Sequence, residues 1–178
     1  LDTEAELDAI KQAQSKNIPI IGFDSGVPGA PEGAIKATAS TDNHAAGGNA
    51  AEHLFPLLEK KIGDKKVRIG VVSQEVNSLS ITQRTSGFID KMVELLNKKG
   101  IKTAVTGHDK FKNDVNEADA KVVIEVRVPA QVDDAAGKTE ASTVLEKEDT
   151  VAIYGSNEFA AKAIINANGG FKESKLGA

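Results

Sequence analysis

Short apolar runs alternate with amphipathic stretches along nearly the whole chain. Ile18, Ile20, Ile21 and Phe23 form a run that reads as a short strand covered on both faces, broken at Asp24 and a glycine/proline turn. Further strands are expected at 34–39, 66–73, 101–105, 121–128 and 150–155. Helices fill the gaps. The first, to about Lys16, opens with a Thr3/Glu6 capping box and carries Leu7, Ile10 and Ala13 on one face. The second, 43–61, is capped by Thr41 or Asp42 and has a core stripe of Ala51, Leu54, Leu57 and Leu58. Its small-residue start, A-A-G-G-N-A-A, reads as close packing of helix on sheet. The third opens with a Ser80/Gln83 capping box, buries Ile81, Phe88, Met92 and Leu96, and stops at Gly100. Two more span 133–147 and 158–168, and 108–120 reads as a polar surface excursion. This alternation implies an α/β fold, a doubly wound, mainly parallel sheet with helices on both faces.

Composition changes the picture only by exclusion. At 178 residues the chain holds one domain or two small lobes, and its net charge of −4 gives no electrostatic argument for nucleic acid. The absence of cysteine removes disulfides, thiolate catalysis and thiolate metal sites. No apolar run approaches the ~20 residues of a membrane span. The chain opens at Leu1 and closes at Lys175–Ala178, where another strand is expected. The fold is therefore read as incomplete at both ends, with a second chain or self-association expected to cover its apolar faces.

Several expected strands end in polar residues, and ligands of open parallel sheets bind at those carboxyl ends. Asp24, Arg84 and Asn157 stand out. Each is a planar group able to make several hydrogen bonds, which suits a ligand rich in hydroxyls. Arg84 is expected in the first helical turn, where the helix dipole disfavours a cation, so replacing it should hardly alter apo stability. It is equally open to being solvated or paired with Glu75. Asp24 has an alternative role as a turn former, and Asn157 as a helix cap. His44, His53 and His108 lack metal-ligand spacing, and no G-x-S-x-G, G-x-x-x-x-G-K-[ST] or G-x-G-x-x-G motif occurs. No catalytic residue, metal or cofactor is assigned.

The stretches N-I-P-I-I-G-F-D-S-G, A-S-T-D-N-H-A-A-G-G-N-A-A-E-H-L, R-I-G-V-V-S…R-T-S-G-F and A-I-Y-G-S-N-E-F-A-A-K-A resemble the type I periplasmic sugar-binding proteins, ribose binders and their relatives in ATP-binding-cassette import. The resemblance covers nearly the whole chain apart from extra residues around 108–120. It implies the type I periplasmic-binding-protein fold, with 1–40 as the last part of the amino-terminal lobe and its crossing strand, and 41–178 as most of the carboxyl-terminal lobe. It also implies a hinge near Ser40–Asn43. The family's ligand aspartate, arginine and asparagine fall on Asp24, Arg84 and Asn157. Ser25 stands where ribose binders carry an arginine, and Val132 or Gln131 where they carry a stacking phenylalanine. Both departures weigh against ribose itself. The implied function is capture of a sugar or polyol between two lobes, outside the cytoplasm, for a membrane ABC permease. The implied location is periplasmic or extracellular, with membrane anchoring as the form it would take in a Gram-positive bacterium. Alternatives on the same fold are the effector-binding core of a lactose-repressor-type regulator and a sensory ectodomain.

Overall fold

Alternating apolar residues on β3 (Val67–Val72) explain the main sheet. Val67, Ile69 and Val71 face one side, Arg68, Gly70 and Val72 the other, and all six are buried. The computed structural model describes residues 3–24, 26, 27 and 29–171, with side chains from residue 6 onward. The Thr3 cap, Ser25 and the 172–178 stretch therefore lie outside the described side chains or residues. The remaining elements are α1 (Thr3–Ser15), β1 (Ile20–Phe23), β2 (Ile35–Ala39), α2 (Asn43–Glu59), α3 (Leu79–Lys98), β4 (Thr103–Thr106), β5 (Val122–Arg127), α4 (Asp134–Leu145), β6 (Thr150–Gly155) and α5 (Glu158–Asn168). A 3-10 turn covers Glu117–Asp119.

The main sheet is parallel throughout, in the order β4-β5-β3-β6. Helices α2 and α3 pack on the Ile69 face, with Phe88, Met92, Leu96 and Leu58 in the core. Helices α4 and α5 pack on the Val72 face. This is the doubly wound arrangement that the alternation implies. A separate two-stranded parallel sheet pairs β1 with β2, and residues 40–42 link it to α2.

Several expectations change. First, β1 is not covered on both faces: Ile21 is 64% and Phe23 84% exposed, because a two-stranded sheet carries no layer over that side among the described residues. Second, Leu57 points outward, and Phe55 takes the inward place between Ala51 and Leu58, the four-then-three spacing of one helical face. Third, α3 begins at Leu79 with Ser78 as its cap, so Ser80 is not the capping residue. Fourth, the 108–120 excursion is anchored. Phe111 is buried, and the Asn113 side chain accepts from Val105 N and donates to Thr103 O at 3.0 and 3.1 Å. It thereby occupies part of the free edge of β4, which would otherwise offer unpaired backbone groups.

The small residues of α2 serve a helix–helix contact rather than a helix–sheet one. A Cβ on Gly47 would lie 2.1 Å from Arg84 O, and one on Gly87 would lie 2.0 Å from His44 O. Gly87→Ala should therefore destabilise by about 3 kcal/mol, the upper part of the usual overpacking range. Gly63→Ala, with nothing within 4 Å, should be neutral or slightly stabilising. Urea denaturation midpoints compare the two, and equal midpoints would refute the contact.

Beside α4, the second sheet face carries charge instead of apolar cover. Arg68 Nη1 donates to Glu125 Oε2 at 2.6 Å, Nη2 to Glu117 Oε1 at 2.7 Å, and Nε to Asp149 Oδ1 at 3.0 Å. Lys147 Nζ also reaches Glu125, at 2.6 Å. Burial alone would lower the Arg68 pKa, but the bonds to Asp149 and Glu117 and the charge of Glu125 outweigh it and raise it. Arg68→Leu leaves buried Glu125 with Lys147 at 2.6 Å and Arg127 at 3.7 Å, so it should cost about 2–3 kcal/mol, below the full penalty for an unpaired buried charge. Arg68→Leu with Glu125→Leu should lose less than Arg68→Leu alone by thermal unfolding, and the opposite ranking would sink this account.

Candidate functional site

Because every strand of the main sheet is parallel, the carboxyl ends of β3, β5 and β6 share one edge. Backbone bonds extend the ladder there by one residue: Ser73 N donates to Arg127 O at 2.9 Å and Ser156 N to Val72 O at 3.1 Å. Ser73 and Ser156 are both buried, which fixes the residues that follow them, Gln74 and Asn157, at the rim.

Arg84 lies in the second turn of α3, not the first, so the dipole argument loses most of its force. Its side chain does not pair with Glu75. Nη2 donates to Asn43 Oδ1 at 2.5 Å and Nη1 to Ser156 O at 3.3 Å. These bonds use two of its five N–H donors, and no described residue takes the other three. Its charge also reaches Tyr154, whose phenol is pushed up by burial and drawn partly back down by Arg84. Tyr154 stacks on Phe88, ring centroids 4.0 Å apart, so this part of the edge rests on the core.

Asn157 does cap α5: its Oδ1 accepts from Ala160 N at 3.1 Å. Its Nδ2 donates to Gln74 Oε1 at 2.5 Å, across the β3–β6 boundary. Arg84 and Asn157 thus meet at one edge through Ser156. Gln131 and Val132 are exposed in the turn between β5 and α4, at the carboxyl end of β5. Asp24 ends β1 on the other sheet. No hydrogen bond or ion pair among the described residues joins it to Arg84 or Asn157. Its backbone N donates to Ala39 O at 3.0 Å, and its φ of 66° is left-handed, a conformation uncommon outside glycine and frequent at ligand sites. Ser25 falls outside the described residues.

Asn43, Gln74 and Ser156 were not singled out by the sequence. The Ser156 hydroxyl is buried without a hydrogen-bond partner among the described groups. The sequence signal for Asn43 was its place immediately after the cap: Asp42 accepts from Ala45 N at 3.0 Å, which leaves the Asn43 amide free for another use. Among the described residues no group of three or more His, Cys, Asp or Glu is placed to hold a metal, and no helix is long and apolar enough to cross a membrane. His44 contacts Asp90 at 3.0 Å on the surface. Two surface grooves of about 400 and 470 Å³ lie away from the edge, one between α2 and α3 and one at the amino ends of β3 and β6.

The sequence profile described as periplasmic binding protein domain matches residues 1–171. The chain belongs to this family. A structure described as an ABC transporter, LacI family transcriptional regulator from Brachyspira murdochii is 31% identical, with a TM-score of 0.72, over 90% of this chain and 46% of its own. An ABC-type sugar transport system periplasmic component from Hahella chejuensis is 25% identical with a TM-score of 0.63, over 90% and 48%. An ABC transporter solute-binding protein from Agrobacterium vitis, with bound D-fucose, is also 25% identical with a TM-score of 0.63, over 90% and 46%. The chain thus spans about half the length of the solved relatives it matches. No curated protein sequence matches it.

The two roles of Asn157 in this periplasmic binding protein domain are separable. Asn157→Ala removes the cap and should cost about 1 kcal/mol, whereas Asn157→Asp keeps the acceptor for Ala160 and should stay within a few tenths of wild type. Chemical denaturation of both variants tests this. A stability loss in Asn157→Asp equal to that of Asn157→Ala would shift the weight from the cap to the Gln74 bond.

Proposed function

We propose that the chain forms part of an extracytoplasmic solute-binding protein that captures a sugar or polyol between two lobes and presents it to an ABC permease. The observation that carries this reading is the spare valence of Arg84, a cation held by Asn43 and Ser156 at a strand-end edge with three N–H donors left for ligand oxygens. Asn157, with Gln131 and Val132 nearby on the same edge, supplies further contacts. Asp24 supplies a carboxylate from the other sheet, and the stretch Ser40–Asn43 is the hinge about which residues 1–40 and 41–178 close. The Hahella and Agrobacterium relatives, described as sugar-transport and solute-binding components, support the ligand class. The protein works by binding, not catalysis, and lies in the periplasm or outside the cell. A second chain covering β1 and β2 is compatible with the exposure of Ile21 and Phe23. A second reading, the effector-binding core of a transcription regulator, is favoured by the description of the Brachyspira relative, which names both roles. An attached DNA-binding module in the full chain would decide for it.

Arg84→Ala in the full chain tests the site. Loss of charge-assisted bonds of about 1.5–3 kcal/mol should weaken sugar binding roughly tenfold to a few hundredfold. Apo stability should also fall, by about 1–3 kcal/mol, because buried Asn43 Oδ1 loses its donor. The buried partner replaces the sequence expectation of unchanged stability. Calorimetric titration of the folded variant separates the two effects. Wild-type affinity in a destabilised Arg84→Ala protein would leave Arg84 as a structural residue only.

A further inference from the structure

Asn43 is 3% exposed, at the first position of α2, where Asp42 already provides the cap. Its amide is spent in two directions. Oδ1 accepts from Arg84 Nη2 at 2.5 Å, and Nδ2 donates to Thr41 O at 3.1 Å. The orientation of the amide is forced by its partners: a guanidinium only donates and a carbonyl only accepts, so turning it over would oppose donor to donor and acceptor to acceptor. Thr41 belongs to the 40–42 link, the connection between the two sheets. A continuous path of hydrogen bonds therefore runs from the link through Asn43 to Arg84, and on through Ser156 to the strand end that carries Asn157.

From this path we infer that Asn43 is a positioning residue: it holds the Arg84 guanidinium in the plane that ligand oxygens meet, and it ties that plane to the link between the sheets. The inference rests on the sugar-binding reading and adds to it a residue that need not touch ligand. Removing the Asn43 amide frees Arg84 to rotate about its last torsions and disconnects it from Thr41, so affinity falls through Arg84 and not independently of it.

A double-mutant cycle in the full chain tests this. The probe is the tightest binder to the unmodified protein among D-fucose, D-galactose, D-glucose, L-arabinose and D-ribose, measured by calorimetric titration. Asn43→Ala should weaken binding about fivefold to thirtyfold when Arg84 is present, and by less than about twofold in the Arg84→Ala background. Asn43→Ser, which suits a helix amino terminus, gives the same comparison should Asn43→Ala not fold. A merely structural asparagine would lower the melting temperature while the affinity effects of the two sites stayed additive, and additivity overturns the inference. Unchanged affinity in a folded Asn43 variant overturns it as well. If the unmodified protein binds none of the five sugars, the sugar reading itself fails and the inference falls with it. Binding with an additive cycle removes only the role of Asn43.

Discussion

The candidate site depends on how closely α2 approaches α3. Two glycines meet the opposite backbone directly, Gly47 at Arg84 O and Gly87 at His44 O. These oxygens belong to the site arginine and to the residue after Asn43. Any side chain at either glycine would force the helices apart by an ångström or more, toward the usual 8–10 Å separation set by side chains. The Asn43–Arg84 bond at 2.5 Å would then open. A packing constraint in two glycines thus sets the geometry of a polar pair a turn away.

Two arginines show how environment divides one residue type between a saturated cation and one with spare donors. Arg68 donates through Nε and both terminal nitrogens to three carboxylates, and it is buried at the amino-terminal end of β3. Little donor capacity remains, so the group acts as a clasp joining the start of β3 to Glu125 within β5, to the 3-10 turn before β5 and to Asp149 just before β6. Arg84, at the opposite end of the same strands, has only neutral acceptors for partners and keeps three N–H groups uncommitted among the described residues. A cation satisfied by carboxylates is a structural part; a cation held by an amide and a carbonyl retains its charge for an anionic or hydroxyl-rich partner. The two arginines thus meet different partners, three carboxylates around Arg68 and an amide and a carbonyl around Arg84.

Much of this was legible in the sequence. The strand 150–155 and the helix 158–168 stand where the pattern put them, because apolar run, cap and glycine stop all agree there. The face of α3 was readable because Ile81, Phe88, Met92 and Leu96 repeat at helical spacing. Failures came where two local signals competed. Ser78 and Ser80 are both serines before the same apolar face, and composition does not choose between them. Leu54, Leu57 and Leu58 crowd one another with Phe55, and only packing decides that Phe55 goes in and Leu57 out. Arg84 was visible as a cation early in a helix and Asn157 as a polar residue at a strand end. Their partners were not, since Asn43 is 41 residues from Arg84 in sequence and Gln74 is 83 from Asn157. The Arg68 clasp was invisible for the same reason: a lone arginine in an apolar strand declares no partner.

Counting unspent hydrogen-bonding capacity ranks the candidate contacts. Asn157 has given its oxygen to the α5 cap and one amide hydrogen to Gln74, so one N–H remains for a ligand unless the Gln74 bond opens. Arg84 has three. The Asp24 carboxylate has no described partner for its acceptor sites, but it stands on the separate β1–β2 sheet. Of these three candidate residues, the two with spare donors stand on the main sheet and the carboxylate on the small one. A polyol hydroxyl both donates and accepts, so it can satisfy the two sides together, whereas a carboxylate or phosphate ligand would be held by Arg84 and repelled by Asp24. On the proposed reading, that opposition of charge between Arg84 and Asp24 favours a neutral, hydroxyl-rich ligand over an anionic one.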